Sequence, residues 1–384
     1  MSAVTAEPHG GTFSVFDSAC MAEALRLAER GLWTTDPNPR VGCVIARDDK
    51  IVGRGWHQRA GGPHAEVFAL REAGERARGA TAYVTLEPCA HHGRTPPCAD
   101  ALVAAGVERV VVAVQDPFPQ VDGQGSARLR GAGIHVEHGL METVARELNI
   151  GFFSRIERGR PWLRLKLACS LDGRTALASG ESKWITGEAA RADVQRWRAR
   201  SGAILTGAAT VRADDPQLTA RVDGDCMAPV RVVVCGSGGV PIGTRMLADR
   251  RAPVWLAGPA GELPELPGCE RIEVPAAVRG VDLDALLRAL AMRGINELQV
   301  ECGARLAGAL LRGGLVDELL LYLAPCVLGS GARPLFDDID LTAMLQRYRF
   351  RSVEQRVLGD DLRWRLRPTA SDACYSEETP CSPD

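Results

Sequence analysis

Strong charge of either sign is missing from this chain of 384 residues: 46 Lys and Arg stand against 48 Asp and Glu, a net of −2. That balance supplies no electrostatic footprint for a nucleic-acid partner, and none is expected. The arginines between Arg191 and Arg200 recur at helical spacing and read as a solvated helix face. No apolar run approaches the roughly 20 residues that cross a bilayer, so no membrane partner is expected either. Met1 to Thr12 has neither a basic start nor an apolar core, and no export signal is read there. The 12 cysteines are therefore expected as reduced thiols in a cytoplasm rather than as a disulfide framework. No internal repeat joins the two halves.

What is present is a concentrated set of metal-binding side chains. Pro63-His64-Ala65-Glu66 is followed by Pro88-Cys89-Ala90-His91-His92-Gly93-Arg94-Thr95-Pro96-Pro97-Cys98. His64, Cys89 and Cys98 supply three ligands for a zinc ion, and a catalytic zinc keeps its fourth position open for water. The metal lowers the pKa of that water towards neutrality. Glu66 is then free to carry protons from the water to the substrate and on to a leaving amine, the parts list of a zinc nucleobase deaminase. The general pattern of that class is Pro-Cys-x-x-Cys, whereas eight residues separate Cys89 from Cys98 here. Zinc needs the sulfurs in space rather than in sequence. Ala99 to Ala105 reads as a helix that leaves Cys98 at its positive end, where a thiolate is favoured. Buried structural thiols are the blander alternative, and a four-ligand structural zinc using His91 or His92 is another.

Hydrophobic content of 46% and charged content of 24% fit a soluble globular protein of two domains. Phe16 to Arg30 has the spacing of a helix, with Asp17 or Ser18 as its cap. Val41–Ala46 and Ile51–Trp56 read as a hairpin, followed by a helix from His64 to Glu75 and strands at Ala82–Leu86 and Val110–Val114. This is an α/β domain with a mixed sheet, closing near Asn149. Gly159-Arg160-Pro161 marks a boundary. Strands beyond it are expected at Trp162–Ala168, Ala203–Thr206, Val230–Cys235, Val254–Ala257, Leu298–Cys302 and Glu318–Leu323. Helices are expected at Glu188–Arg200, Leu283–Arg293 and Ala304–Arg312. The resulting division is 13–157, 158–368 and a disordered tail at 369–384, rich in Ser, Pro and acid. Val300 to Ala309 turns from strand to helix at Gly303. It is not the Gly-x-Gly-x-x-Gly fingerprint, and phosphate binding and close helix packing both remain open for it.

Asn38-Pro39-x-Val41-Gly42, His64-Ala65-Glu66 and the Glu87 to Cys98 segment resemble the first domain of the bifunctional riboflavin-biosynthesis deaminase/reductase family. The second half continues the match with Lys166-x-x-x-Ser170-Leu171-Asp172-Gly173, Gly180 to Thr186 and Ala213-Asp214-Asp215-Pro216-x-Leu218-Thr219. The resemblance implies a cytidine-deaminase-like three-layer domain followed by a dihydrofolate-reductase-like α/β domain. It implies zinc-dependent deamination of a diaminopyrimidinone ribosylamine 5′-phosphate and then NADPH reduction of the ribosyl side chain to ribityl, in a homo-oligomer. Asn38, His57 and Arg94 match first-substrate positions. Ala168, Trp184, Thr210, Asp214 and the run Gly303, Ala304, Arg305, Leu306, Ala307, Gly308, Ala309 match NADPH positions. Ser182, Arg198, Leu218, Arg221 and Glu301 match positions for the second substrate, with Lys166, Asp214 and Glu301 as proton carriers. The chain departs from the family at Cys235-Gly236, usually Asp and a hydroxyl residue, and at Ala304, usually Pro or Ser. A deaminase acting on RNA or a nucleobase with an appended binding domain is the rival enzyme. A non-catalytic zinc-stabilised scaffold is the rival outside enzymes.

Overall fold

The computed structural model describes residues 13–90, 97–119, 121–235, 239–278 and 280–369. These fall into two compact units divided between Arg158 and Gly159. The expected tail at 369–384 lies outside the described residues apart from Thr369.

The first unit begins with α1 (Val15–Glu29). Its cap is Ser14, not Asp17 or Ser18. Ser14 Oγ accepts from the Asp17 amide at 3.0 Å, while the Asp17 carboxylate accepts from the Ser14 amide at 2.8 Å. A reciprocal pair of this kind satisfies two donors at once, so the cap moves ahead of the acidic residue. β1 (Gly42–Arg47) and β2 (Lys50–Trp56) form the expected hairpin. Asp48 and Asp49 turn it at φ of 50° and 56°, a conformation that follows the twist of the flanking strands. Then come α2 (Ala65–Ala73), β3 (Thr81–Val84), α3 (Cys98–Ala105), β4 (Arg109–Val112), α4 (Gln124–Gly131), β5 (His135–His138), α5 (Glu142–Leu148) and α6 (Ile150–Arg158). The sheet runs β2-β1-β3-β4-β5, antiparallel at β2-β1-β3 and parallel at β3-β4-β5.

Both faces of this sheet are covered, because its strands alternate two apolar sets. Cys43, Ile45, Ala82, Val84, Val110 and Val112 pack with Ala65, Ala69, Leu102 and Leu129 of α2, α3 and α4. Val44, Ala46, Tyr83 and Val111 pack on the other side with Met21, Ala24, Phe152 and Phe153 of α1 and α6. Helix α2 lies directly on β2. A Cβ at Gly53 or Gly55 would fall 2.2 or 2.1 Å from the Ala69 or Ala65 carbonyl oxygen, so only glycine permits that approach.

The second unit contains β6 (Trp162–Cys169), β7 (Arg174–Ala176), α7 (Glu188–Arg200), β8 (Ala203–Gly207), α8 (Ala208–Asp214), β9 (Val230–Val234), α9 (Arg245–Ala248), β10 (Val254–Gly258) and β11 (Cys269–Glu273). It continues with β12 (Ala276–Ala277), β13 (Gly280–Val281), α10 (Leu283–Met292), β14 (Glu297–Glu301), α11 (Ala304–Arg312), β15 (Glu318–Leu323), β16 (Arg333–Pro334), β17 (Phe350–Leu358) and β18 (Asp361–Pro368). The main sheet is β11-β10-β9-β8-β14-β6-β15-β18-β17, with β7 and β16 as one small ribbon and β12 and β13 as another. The seven strands from β11 to β15 run parallel, and β18 and β17 close the edge as an antiparallel hairpin.

One face of the parallel region is apolar: Leu163, Leu165, Leu167, Leu298, Val300 and Leu319 pack under α10 and α11. The opposite face carries Arg164, Lys166, Glu297, Gln299, Glu301 and Glu318 on the alternate positions. Arg164 is buried between Glu318 at 2.8 Å and Glu297 at 3.1 Å. Arg200 of α7 adds 2.7 Å to Glu297, and Arg365 and Arg367 of β18 add 2.9 and 3.1 Å to Glu318. The arginines of α7 are thus not a solvated face throughout, since Arg198 and Arg200 turn inward to glutamates on β14. The chain leaves β8 towards β9 and leaves β14 towards β15, in opposite directions along the sheet. Ligands of parallel α/β sheets bind at such a switch, beyond the carboxyl ends of the strands. Among the described residues, no helix is long and apolar enough to cross a membrane.

Candidate active sites

The metal-binding set assembles from three elements of the first unit. His64 is the N-cap residue of α2, Cys89 follows β3, and Cys98 opens α3. Their ligand atoms all lie within 4.8 Å of one another. His64 Nδ1 stands 3.2 Å from Cys98 Sγ and 3.6 Å from Cys89 Sγ. A tetrahedral zinc with one imidazole and two thiolates would hold such atoms roughly 3.6–3.8 Å apart, so the donor set fits with little adjustment. The two cysteines are also tied through the backbone: the Cys98 amide donates to Cys89 Sγ at 3.3 Å and the Ala99 amide to the Cys89 carbonyl at 3.2 Å. Hydrogen bonding from Cys98 draws the Cys89 thiol down to about 4, while the Cys98 thiol is pushed up by the same contact and by burial. Metal binding requires both cysteines as thiolates and releases their protons.

Glu66, in the first turn of α2, is buried and its Oε2 has no hydrogen-bond partner among the described residues. Burial pushes its carboxyl up, countered in part by His64. A carboxyl so placed is ready to take and return a proton. His57, just beyond β2, is also buried. Its Nδ1 donates to the Pro63 carbonyl at 3.0 Å, which leaves Nε2 to accept from the Asn38 amide at 3.1 Å. Burial lowers its pKa, so the ring is neutral and fixed in one tautomer. Its edge meets His64 with the ring centres 5.5 Å apart. Asn38, His57, His64 and Glu66 therefore share one wall. Asn149 secures that wall from below, pairing its side-chain amide with the Arg40 amide and carbonyl, both at 2.8 Å. Arg94, His91 and His92 lie outside the described residues. Asp116, absent from the sequence reading, is buried beside this site, and burial raises its carboxyl to about 6.

In the second unit the strand register places Lys166 of β6 opposite Glu301 of β14. Arg198 of α7 holds the Glu301 carboxylate with two bonds, Nε to Oε1 at 2.6 Å and Nη2 to Oε2 at 2.8 Å. Gln299 donates to Glu301 Oε1 at 2.7 Å, and Arg198 Nη1 donates to the Thr219 carbonyl at 3.1 Å. Burial alone would raise Glu301, but Arg198 outweighs it and holds the carboxyl at about 2. Burial lowers Lys166, with Glu301 opposing. Its ammonium lies 5.6 Å from the Tyr322 ring centre. Lys166, Arg198 and Glu301 thus form one cluster, with Arg221 in electrostatic reach of Arg198. Ala168 lies two residues beyond Lys166 on the same face.

Gly303 is the N-cap residue of α11, and no side chain caps that helix. Its φ of −77° is an extended conformation, not the left-handed one that requires glycine. Among the described residues, a Cβ there would meet only Thr210 Oγ1, at 4.0 Å, so Thr210 and Gly303 face one space at the switch between β8 and β14. The rest of the stretch divides its work. Ala307 is fully buried and Gly308 packs against the Asp337 carbonyl, where a Cβ would approach to 2.0 Å. Arg305 is exposed, 3.7 Å from Asp337. Leu218 is buried at φ 50°, Trp184 is exposed under the Arg191 guanidinium at 4.7 Å, and Ser182 is half-buried. Asp214 ends α8 exposed, with no contact to Lys166 or Glu301 among the described residues.

Comparison with known proteins separates the same two halves. The family model for the cytidine and deoxycytidylate deaminase zinc-binding region matches residues 14–114, and that for the RibD C-terminal domain matches residues 161–362. The riboflavin biosynthesis protein RibD of Escherichia coli is 52% identical over 360 residues, covering 90% of this chain and 98% of that protein. A RibD structure from Acinetobacter baumannii superposes with a TM-score of 0.86 at 48% identity, over 92% of this chain and 99% of that one. A Thermotoga maritima structure, described as a diaminohydroxyphosphoribosylaminopyrimidine deaminase/5-amino-6-(5-phosphoribosylamino)uracil reductase, gives 0.83 at 32% identity over the same shares. With both sites in place and identity of this order running through both units, the chain belongs to the RibD family of riboflavin-biosynthesis proteins.

Proposed function

We propose that the first unit hydrolyses the 2-amino group of 2,5-diamino-6-(5-phosphoribosylamino)pyrimidin-4-one, and that the second then reduces the ribosyl side chain to ribityl with NADPH. The observation that carries the first step is the buried, unpartnered Glu66 oxygen beside the three-ligand cluster. His64, Cys89 and Cys98 would hold zinc, which when bound lowers the pKa of water and so supplies the attacking hydroxide near neutral pH. Glu66 accepts the proton of the attacking water and passes it to the departing amine, which leaves as ammonia. Asn38 and the neutral His57 orient the pyrimidine, and Arg94 has the fork geometry for its phosphate.

The second step delivers a hydride to the sugar C1′ and a proton to the ring oxygen that opens. Lys166 is the proton carrier that the geometry favours, since its depressed pKa eases proton release. Glu301, kept anionic by Arg198, serves to hold the sugar and to steady the lysine rather than to donate. Asp214, exposed at the end of α8, fits the rim of the cofactor site better than its chemistry. NADPH phosphates would lie at Gly303, Ala304, Arg305 and Leu306, on the uncapped start of α11 near Thr210. Trp184, Ala168 and Ala309 complete that surface, and Ser182, Leu218 and Arg221 line the substrate side.

The division at 13–157 and 158–368, leaving 369–384 as a tail, is part of this reading. The separation of compact units after Arg158 supports it. A cytoplasmic, homo-oligomeric enzyme free of nucleic acid completes it, and light scattering on the purified chain reads the assembly. Zinc-loaded protein should convert the diaminopyrimidinone phosphate with release of one ammonia, and should consume NADPH only after that step. NADPH oxidation without deamination of that substrate would refute the order.

A further inference from the structure

Glu87 is buried at the end of the strand that leads to Cys89, and the chemistry above does not use it. It has no ion-pair partner among the described residues. Its carboxylate is filled by backbone amides instead: Oε1 accepts from Ser126 at 2.9 Å, and Oε2 from Gly123 at 3.0 Å and Asp116 at 3.4 Å. Asp116 and Gly123 lie between β4 and α4, Gly123 as the N-cap residue of α4, and Ser126 lies in the first turn of that helix. Its own amide donates to the Val114 carbonyl at 3.0 Å. The next carbonyl, that of Pro88, is pressed against α4 so closely that a Cβ at Gly125 would fall 1.8 Å from it. The turn that presents Cys89 is therefore gripped on successive residues by a segment distant in sequence.

We propose that Glu87 is a positioning residue that fixes the Pro88–Cys89 turn for metal binding, through the backbone of residues 116–126 rather than by touching the metal. The inference rests on the zinc reading of His64, Cys89 and Cys98. Partners that orient metal ligands typically contribute about 10- to 100-fold to metal affinity. A glutamine at 87 keeps one acceptor oxygen and turns an amide towards the remaining backbone donors, whereas alanine removes both acceptors.

Zinc affinity of the full chain, measured by competition with a chromogenic chelator, tests the proposal. Glu87→Gln should bind zinc about tenfold more weakly than wild type, and Glu87→Ala more weakly again. Reductase turnover on the deaminated substrate should be unchanged in both, which reports a folded second unit, and a cooperative thermal transition of the first unit by circular dichroism reports that unit's fold. Gly125→Ala carries the test should Glu87→Ala fail to fold. It displaces the Pro88 carbonyl without altering charge and should also weaken zinc. Wild-type zinc affinity in Glu87→Gln and Gly125→Ala, even with lowered melting temperatures, would show that the contacts only stabilise the unit. Wild-type protein that takes up no zinc would overturn the zinc reading itself, and this inference with it.

Discussion

Removing Arg198 should expose how much the second unit depends on one charge. Glu301 is held at about 2 against an ordinary value of 4.5, although burial acts in the opposite direction. The difference corresponds to about 3 kcal/mol at neutral pH, in line with the cost of stripping one partner from a buried pair, roughly 3–5 kcal/mol. Both side chains are only 13% exposed, so solvent screens little of it. Because the folded pKa is depressed, this stability is fully present above 4.5 and fades as pH falls towards 2. In Arg198→Met the sign reverses. Burial is then opposed only by Lys166 and Gln299, the Glu301 pKa rises above its unfolded value, and the penalty is lifted as acid protonates the carboxyl. Scanning calorimetry from pH 7 to 4 should therefore show the gap between wild type and Arg198→Met narrowing with acid. Arg198→Met/Glu301→Gln should be more stable at pH 7 than Arg198→Met alone, since the buried carboxylate that lost its arginine is gone and Lys166, whose pKa burial already lowers, can shed its own charge by releasing a proton. A single variant no less stable than the double, or a gap independent of pH, would refute this account of Glu301.

Glu66→Gln should retain zinc and fold while losing deamination by about 10²–10⁴-fold, read as ammonia release; given the deaminated intermediate, it should still oxidise NADPH at near wild-type rate. Cys98→Ser should lower zinc content measured by atomic absorption, because an alcohol is a poor substitute for thiolate. Gly303→Val should raise the KM for NADPH at least tenfold, about 1.4 kcal/mol of binding, with deamination and the circular dichroism spectrum unchanged. The extended φ at Gly303 and the open space around it remove backbone strain as a competing explanation.

The first site was legible in the sequence because its chemistry is written locally. His64 and Glu66 are two residues apart, and Cys89 and Cys98 carry prolines that mark turn and helix start. What lay hidden there depends on distant backbone. Glu87 reads as an ordinary acid beside a proline until the fold brings the amides of Asp116, Gly123 and Ser126 to it. The Ser14 cap was missed because Asp17 and Ser18 are equally good capping types, and only the reciprocal bonds decide among them.

The second unit resisted for a different physical reason. Period-2 alternation reveals a strand when one side is apolar and the other meets water. On β6, β14 and β15 the polar side is buried as well, so the pattern gives the strands but misassigns their environment. Arg164, Glu297 and Glu318 look solvent-facing in sequence and are almost wholly buried in the fold. The same network hid β17 and β18. Arg363, Arg365 and Arg367 alternate along β18 as though exposed, yet Arg363 meets Asp193 at 2.9 Å, while Arg365 and Arg367 reach Glu318. An arginine is tolerated inside only when carboxylates from other elements neutralise it; Glu354 of β17 is 9 positions from Arg363, but Glu318 stands 47 from Arg365 and Asp193 stands 170 from Arg363. Pairing at that range is a property of topology. The polar strip that results runs up the middle of the sheet and ends at Lys166 and Glu301, the pair proposed for the reduction. Burying charge along the strip therefore gives the candidate site a pre-formed polar floor, and the residues least readable as core are the ones that extend the core to the Lys166–Glu301 cluster.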